Sequence, residues 1–380
     1  MSNEFILTNA QIVTADSVVA GTVRIVGGKV ADISAGPTQT AGAQDLGGDY
    51  LLPGLVEIHT DNMEKHFEPR PGAVWPSPLA AVLAHDAQVI GAGITTVLDA
   101  VCVGDYRDSG KRRRILKDSI ESVATARAAN LLRADHLFHL RCEISDPGVV
   151  EMFEPYADHP LLRLVSLMDH TPGQRQWRDL ESYRTFHRDK GWNDSEFAEV
   201  VADYKDKMAR HSDVNRKAVL DLCRGLDVPL ASHDDTTEEH VEQAHAEGIA
   251  ISEFPTTLPA AKLARSYGMM NVMGAPNVVR GGSHSGNISA LALAEAGLLD
   301  VLSSDYVPSS LLHAGFLLQQ RAGVSLPDAM RTVALNPARA IGLTDRGEIA
   351  PGRRADLVRV RLHCDLPIVR EVWRGGSRVA

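Results

Sequence analysis

The residues able to do chemistry in this 380-residue chain stand at the ends of short apolar runs. "LLPGLVEIHTD" (51–61) closes on His59 and Asp61. "HLRCEI" carries Glu143, "MDH" ends on Asp169 and His170, "ASHDD" supplies His233, Asp234 and Asp235, and "LSSDY" carries Asp305. His59 and Asp61 are two residues apart, so on a strand both project to one side. Two further imidazoles and two further carboxylates in the same small space would repel strongly without a cation. Mixed N/O ligation suits a divalent ion such as Zn, Mn or Fe. Each residue taken alone has a plainer reading. A strand-end histidine can simply be hydrogen-bonded, Asp305 can cap the next helix, and Glu143 can pair with Arg141. Coincidence at five strand ends favours a metal.

The elements that must position these groups alternate. Eight strands are expected: Leu51 to His59, Thr95 to Val101, Leu137 to Ile144, Leu162 to Asp169, Pro229 to His233, Ile249 to Phe254, Met270 to Met273, and Val301 to Ser304. Helical stretches lie between most of them. One is Lys111 to Leu132; another begins at a capping box of Thr236 and Glu239. Eight β/α alternations predict a closed α/β barrel, (β/α)8 and TIM-like, whose strand ends converge on one face; an open doubly wound sheet is the alternative. Both chain ends read instead as short strands. Residues 1–50 and 346–380 are therefore expected to form one small β-sandwich domain, with the barrel over 51–345. The polar, aromatic-dotted stretch Gln174 to Asp213 reads as an insertion over the barrel mouth.

Composition narrows the class. At 44% hydrophobic and 23% charged residues the chain reads as a soluble globular protein. No apolar run approaches a membrane span, and the N-terminus lacks the pattern of an export signal. Cys102, Cys142, Cys223 and Cys364 lie far apart with no CxxC, which suits a reduced, cytoplasmic protein. A net charge of −10 argues against general nucleic-acid binding but leaves room for an anionic substrate in a local basic pocket.

Such a pocket has candidates. In "VVRGGSHSGN" (278–287), Arg280 can clamp a phosphate and Gly281 and Gly282 let the backbone approach. Ser283, His284 and Ser285 can donate hydrogen bonds. Lys65, His66 and Arg70, just past the first barrel strand, are further candidates, with a solvated loop as the plainer reading. Lys111 to Arg114 reads better as a solvated helix start. Trp75, Trp177 and Trp192 could close over a sugar. Met269, Met270 and Met273 read as core, and His85, His136, His139, His240 and His245 as structural or surface residues.

"LLPGLVEIHTD", "GAGITTVLDA", "ASHDD", "LSSDY" and "NPARAIGLTDRGEIAPGRRADLV" resemble the amidohydrolase superfamily of metal-dependent hydrolases. The resemblance runs nearly the whole chain. It departs from the usual His-x-His start, since His59-Thr60-Asp61 stands there. "HTDNMEKHFEPRPGAVWP", "HLRCEISDP", "MDHTPGQRQ" and "VRGGSHSGN" resemble a narrower family, the PhnM diphosphatases of the carbon–phosphorus lyase pathway. These release diphosphate from alpha-D-ribose 1-methylphosphonate 5-triphosphate. The resemblance implies one or two divalent metal ions, zinc foremost, held by His59, Asp61, Glu143, His170, His233 and Asp305, with Glu143 as the bridge. Many superfamily members place their histidines on strands five and six, whereas His170 and His233 fall on four and five here. Asp305 would act as the base, with Asp169, His284 and Asp234 as fallbacks. The partner is a phosphorylated sugar phosphonate, with no nucleic acid and no membrane; superfamily members are often dimers or tetramers, so a homo-oligomer is open. The alternatives are C–N hydrolysis, as in a dihydroorotase or deaminase, and a non-catalytic barrel subunit of a phosphonate-utilisation complex.

Overall fold

The computed structural model describes residues 4–105, 110–283 and 286–380. Its centre is a parallel barrel of eight strands: β1 Leu55–Thr60, β2 Ile94–Val103, β3 Asp135–Glu143, β4 Leu162–Met168, β5 Leu230–His233, β6 Ile251–Glu253, β7 Met270–Gly274 and β8 Val301–Ser303. Each strand pairs with the next in chain order. β2 is buried along all its length, "ITTVLDAVCV". A β-branched run of this kind is the mark of a parallel strand covered on both faces.

The ring closes at its rim between β8 and β1. Asp305 N–H donates to the His59 carbonyl at 3.1 Å, and Asp61 N–H donates to the Asp305 carbonyl at 3.2 Å. Deeper in, the Glu57 carboxylate replaces the missing ladder. It accepts His59 N–H at 2.6 Å and Ser304 N–H at 2.5 Å. Glu57 is fully buried, and burial pushes its carboxyl up to about 7. No helix among the described residues is long and apolar enough to cross a membrane.

The expected strand Leu51 to His59 divides in two. Tyr50–Pro53 pairs with Leu357–Val360 and with Gln11 and Ile12, whereas Leu55 begins the barrel. Gly54 is the pivot: a Cβ there would lie 2.3 Å from Thr95 Oγ1 and 2.9 Å from Asp356 Cβ. Only glycine lets the barrel and the terminal sheet approach so closely. The apolar run reads continuously because both halves are buried, each against a different core.

The other sheet runs Ser377–Arg378, Leu366–Arg374, Leu357–His363, Tyr50–Pro53, Glu4–Val13, Val18–Val26 and Lys29–Ala35, with Gln44–Asp45 also pairing Glu4–Val13. It is curled, so that Lys29 of its edge strand bridges Arg354, just before the inner strand Leu357–His363. Leu7, Ile12, Val23, Ile25, Leu51, Leu357 and Trp373 form its own core. Asp135, at the start of β3, ties the barrel to the C-terminal segment. It accepts from Arg346 at 2.8 Å, Arg354 at 2.5 Å and Arg374 at 3.2 Å.

Two helix boundaries differ from expectation. The helix Lys111–Ala128 stops four residues early, and Asn130 just beyond it has φ 53°, the left-handed conformation common at helix ends. The helix Glu238–Ala246 is capped by Thr237, whose side chain accepts His240 N–H. Thr236 is engaged elsewhere, hydrogen-bonded to Thr256 at 2.8 Å and donating to the Asp234 carbonyl at 3.0 Å. The inserted region contains the helices Leu180–Phe186 and Asp194–Cys223.

Candidate active site

The C-terminal ends of the strands surround a cavity of about 750 Å³. His59, Asp61, Glu143, His170, His233 and Asp305 all line it, as do Lys65, Arg280, Gly282 and Ser283. The strand count holds: Glu143 ends β3, His170 follows β4 and His233 ends β5.

Three strand-end residues share one device. Asp234, Phe254 and Asp305 each have φ 54°. Each donates its N–H to a neighbouring strand: Asp234 to Glu253 O at 2.9 Å, Phe254 to Val272 O at 2.8 Å, Asp305 to His59 O at 3.1 Å. The last ladder bond is thus kept while the left-handed residue turns the chain off the barrel. Aspartate tolerates this conformation, whereas a bulky side chain does so at a cost of roughly 1–3 kcal/mol. The Phe254 ring meets His59 and His233 edge-on at 4.9 and 5.3 Å between centroids.

Glu143, His170, His233 and Asp234 form a connected set. Glu143 Oε2 lies 2.6 Å from His170 Nδ1, and Glu143 Oε1 accepts His170 N–H at 3.0 Å. Ligand atoms of His170, His233 and Asp234 lie within 4.8 Å of one another. Burial works against a charged His170, but the Glu143 carboxylate outweighs it and holds the imidazole above its ordinary value. Burial pushes His59 and His233 well below theirs. Asp234 is pushed up to about 7 by burial, and Asp305 to about 7 by burial and then by the facing Asp61 carboxylate.

These features fit a divalent cation. Asp61 Oδ1 and Asp234 Oδ2 are buried and accept no hydrogen bond among the described residues. Neutral His59 and His233 imidazoles beside Asp234 and Asp305 carboxyls that resist ionisation are the state expected of ligands whose counter-charge is a metal, whereas His170 is held by Glu143.

Glu253 is a site residue that the sequence reading missed. It ends β6, and its two oxygens face His59 Nδ1 at 2.8 Å and His233 Nδ1 at 3.3 Å. One carboxylate therefore fixes both rings, leaving the Nε2 atoms for the cavity. The strand-end rule that picks out the other donors also points to "ISEF". His139, which reads as structural, is buried, donates from Nδ1 to the Ile58 carbonyl at 3.0 Å and meets Ser166 Oγ at 2.9 Å through Nε2, but one of its ligand atoms also lies within 4.8 Å of those of His59 and Glu253. His85, Asp99 and His136 form a separate buried group, with Asp99 2.8 Å from each histidine. There burial opposes a charged His136, but Asp99 and Asp86 push it up to about 9.

Several expected residues lie elsewhere. His66 turns to Gln88, 3.0 Å away, and Arg70 is exposed; neither lines the cavity. Both sit on the short segment after β1, whose helical turn packs outward onto the helix Pro78–Gly91. Gly281 is the left-handed residue ending Ala275–Arg280 and is also outside the lining. His284 and Ser285 lie outside the described residues. Asp169 does not line the cavity; it accepts Thr171 N–H at 3.0 Å and the Ser212 hydroxyl at 3.2 Å. Asp235 turns inward to Ser232, Ser252 and Arg175. Lys65 lines the cavity but is anchored, donating to Tyr306 O at 2.7 Å. Of the tryptophans only Trp177 lines the cavity, with Tyr183, Phe186, His187 and Tyr204 of the inserted region. Arg178 reaches from that region to Asn287 at 3.2 Å.

Residues 145–380 match the model of the amidohydrolase family. The chain is 43% identical to the alpha-D-ribose 1-methylphosphonate 5-triphosphate diphosphatase of Escherichia coli K12, over 98% of this chain and 100% of that protein. It is 26% identical to an adenine deaminase of Desulfatibacillum aliphaticivorans, over 99% of this chain and 58% of that protein. Among solved structures, 5-methylcytosine deaminase from Klebsiella pneumoniae aligns with a TM-score of 0.67 at 16% identity, covering 99% of this chain and 97% of that one. N-acetyl-D-glucosamine-6-phosphate deacetylase from Mycobacterium smegmatis aligns with a TM-score of 0.62 at 18% identity, covering 99% of this chain and 100% of that one. At such identities the likeness is one of fold. The chain belongs to the amidohydrolase family.

Proposed function

We infer that this protein is a metal-dependent hydrolase of a phosphoanhydride, releasing diphosphate from alpha-D-ribose 1-methylphosphonate 5-triphosphate in phosphonate catabolism. The observation that carries the reading is the 43% identity to the Escherichia coli diphosphatase along the full length of that protein. The cavity supports it, because carboxylates and imidazoles share its wall with Lys65 and Arg280.

In this reading His59, Asp61, Glu143, His170, His233 and Asp305 hold one or two divalent cations, zinc foremost, with Asp234 beside them. When bound, such a cation makes a water acidic and draws charge from a phosphoryl oxygen. Glu253 keeps His59 and His233 in the tautomer that turns Nε2 outward. Asp305 accepts the proton of the attacking water, its carboxylate aimed by the left-handed turn at the end of β8. Arg280 grips the triphosphate: it lines the cavity, is exposed, and makes no hydrogen bond or ion pair among the described residues. Gly282 and Ser283 stand beside it. The aromatic wall of Trp177, Tyr183 and Phe186 keeps water from the anhydride other than the one that attacks.

We assign residues of about 1–50 and 346–380 to one domain and the barrel to the chain between them; the sheet that joins the two terminal segments supports this, and it extends through Tyr50–Pro53 to the Gly54 pivot. The test of the function is diphosphate release from the named substrate by metal-loaded protein, alongside metal content. Full metal loading with no diphosphate released would refute it.

A further inference from the structure

We propose that Arg112 and Arg141 form a second anion subsite in this cavity, across the donor set from Arg280, and that it takes the far anionic end of the substrate, the phosphonate. The proposal rests on the diphosphatase reading and deepens it.

Both guanidinium groups line the cavity. Arg141 lies on β3, two residues before Glu143, so the two side chains project to the same side of the strand. It is in register with Cys102 of β2, which lines the cavity too. Arg112 comes from the first turn of Lys111–Ala128. Its neighbours are spoken for: Lys111 pairs with Glu68, and Arg113 pairs with Glu151 at 3.0 Å. Arg112 and Arg141 form no ion pair or hydrogen bond among the described residues, and the Arg141 Nε is buried without an acceptor. The carboxylates of Asp61, Glu64 and Glu143 are near enough to be felt electrostatically. None comes within pairing distance of either arginine, and Asp61 and Glu143 belong to the donor set.

An enclosed guanidinium with an unmet N–H costs stability. The buried Arg141 Nε is explained when a ligand completes it, and Arg112, unpaired among the described residues in the same cavity wall, adds a second donor fork. A planar fork meets the oxygens of phosphate or phosphonate in pairs.

Topology then specifies the ligand. In an eight-stranded ring β3 and β7 are four strands apart, hence opposite. Arg141 stands on β3 and Arg280 follows β7, so the metal donors lie between two cationic poles. A ligand anionic at one end satisfies one pole. A sugar with triphosphate on one carbon and phosphonate on another satisfies both. The pair thus makes the site selective for doubly ended anions over simple triphosphates.

The test compares two substrates on metal-loaded enzyme: the ribose 1-methylphosphonate 5-triphosphate and the neutral 1-O-methyl riboside 5-triphosphate. Arg112→Gln and Arg141→Lys should each raise KM for the first by about 10–100-fold, the scale of a lost charge-assisted hydrogen bond. KM for the riboside should change less than about threefold, as expected of a contact absent from that substrate. Metal content and Tm are read on the same samples. Equal loss on both substrates, or no change on either, overturns the proposal. Calorimetric binding of ribose 1-methylphosphonate, which has no triphosphate, keeps the two readings separate. If wild type releases no diphosphate from either substrate, the diphosphatase reading fails. The subsite still stands if wild type binds this probe more tightly than both variants, and falls if it does not.

Discussion

Glu253 holds two histidines at once: its Oε1 lies 2.8 Å from His59 Nδ1, and its Oε2 reaches His233 Nδ1 at 3.3 Å. The carboxylate spans from β6 to β1 and β5, so the orientation of two candidate ligands depends on one buried side chain. Glu253→Gln keeps the shape but loses the charge and one acceptor. Metal affinity should fall about 10–100-fold, the usual cost of losing such support. Titration against a competing chelator measures it, with Tm in excess metal staying near wild type. An unchanged affinity would reduce Glu253 to packing.

Asp305→Asn retains a carbonyl oxygen at the end of β8 but cannot accept a proton. Turnover should drop by roughly 10²–10⁴-fold while metal content is largely kept, the scale of lost general base help. Stopped assays of diphosphate and elemental analysis on one sample decide it. Normal turnover at full metal would leave Asp305 as a cap, with Asp234 the base to examine next, since Asp169 faces away from the cavity.

Arg280→Lys keeps the charge and loses the planar fork. KM for the triphosphate should rise by about tenfold, equivalent to about 1.4 kcal/mol, with metal content unchanged. Activity equal to wild type at all substrate concentrations would remove Arg280 from the site.

The pair Asp99–His136 makes stability depend on pH in a window separate from the metal donors. His136 is pushed up to about 9 in the folded protein, against 6.5 for the ordinary imidazole. Its folded-state value is raised, so its contribution is complete below pH 6.5 and is lost as pH rises through about 9. His136→Asn should therefore be less stable than wild type by about 2–3 kcal/mol near pH 6, and the gap should narrow by about pH 9.5. Urea unfolding at several pH values, at fixed metal, reads this. A gap independent of pH would mean that His136 acts by shape alone.

Asp135→Asn should destabilise the joint between barrel and terminal sheet. It removes the shared anion of Arg346, Arg354 and Arg374, all partly exposed. Discounted for solvent, the loss should be about 1–3 kcal/mol. Denaturant unfolding should show it without a change in kcat, because the residue lies at the end of β3 remote from Glu143.

Much of this protein is legible in the sequence because its parts obey local rules. Apolar runs separated by helical stretches locate all eight barrel strands, and a polar residue at a strand end marks the catalytic face whatever the packing. Six candidate donors follow on that basis, and all six line one cavity. Where two distant segments meet, local rules fall silent. "LLPGLVEIH" is one apolar run, yet Gly54 divides it because Thr95 and Asp356 leave no room for a Cβ. His66 and Arg70 carry the right chemistry, but the turn after β1 directs them away from the cavity. Glu253 follows the strand-end rule, but its two histidine partners lie 194 and 20 residues away, so its role depends on closure of the ring. Arg112 reads as one charge in a basic helix start, and only the placement of that helix beside β2 brings it to the cavity wall. Residue type and period determined the strands and their chemical ends. Which ends share a carboxylate, and which charges are left without a partner, was decided by the three-dimensional ring, because those contacts form only when remote strands are brought side by side.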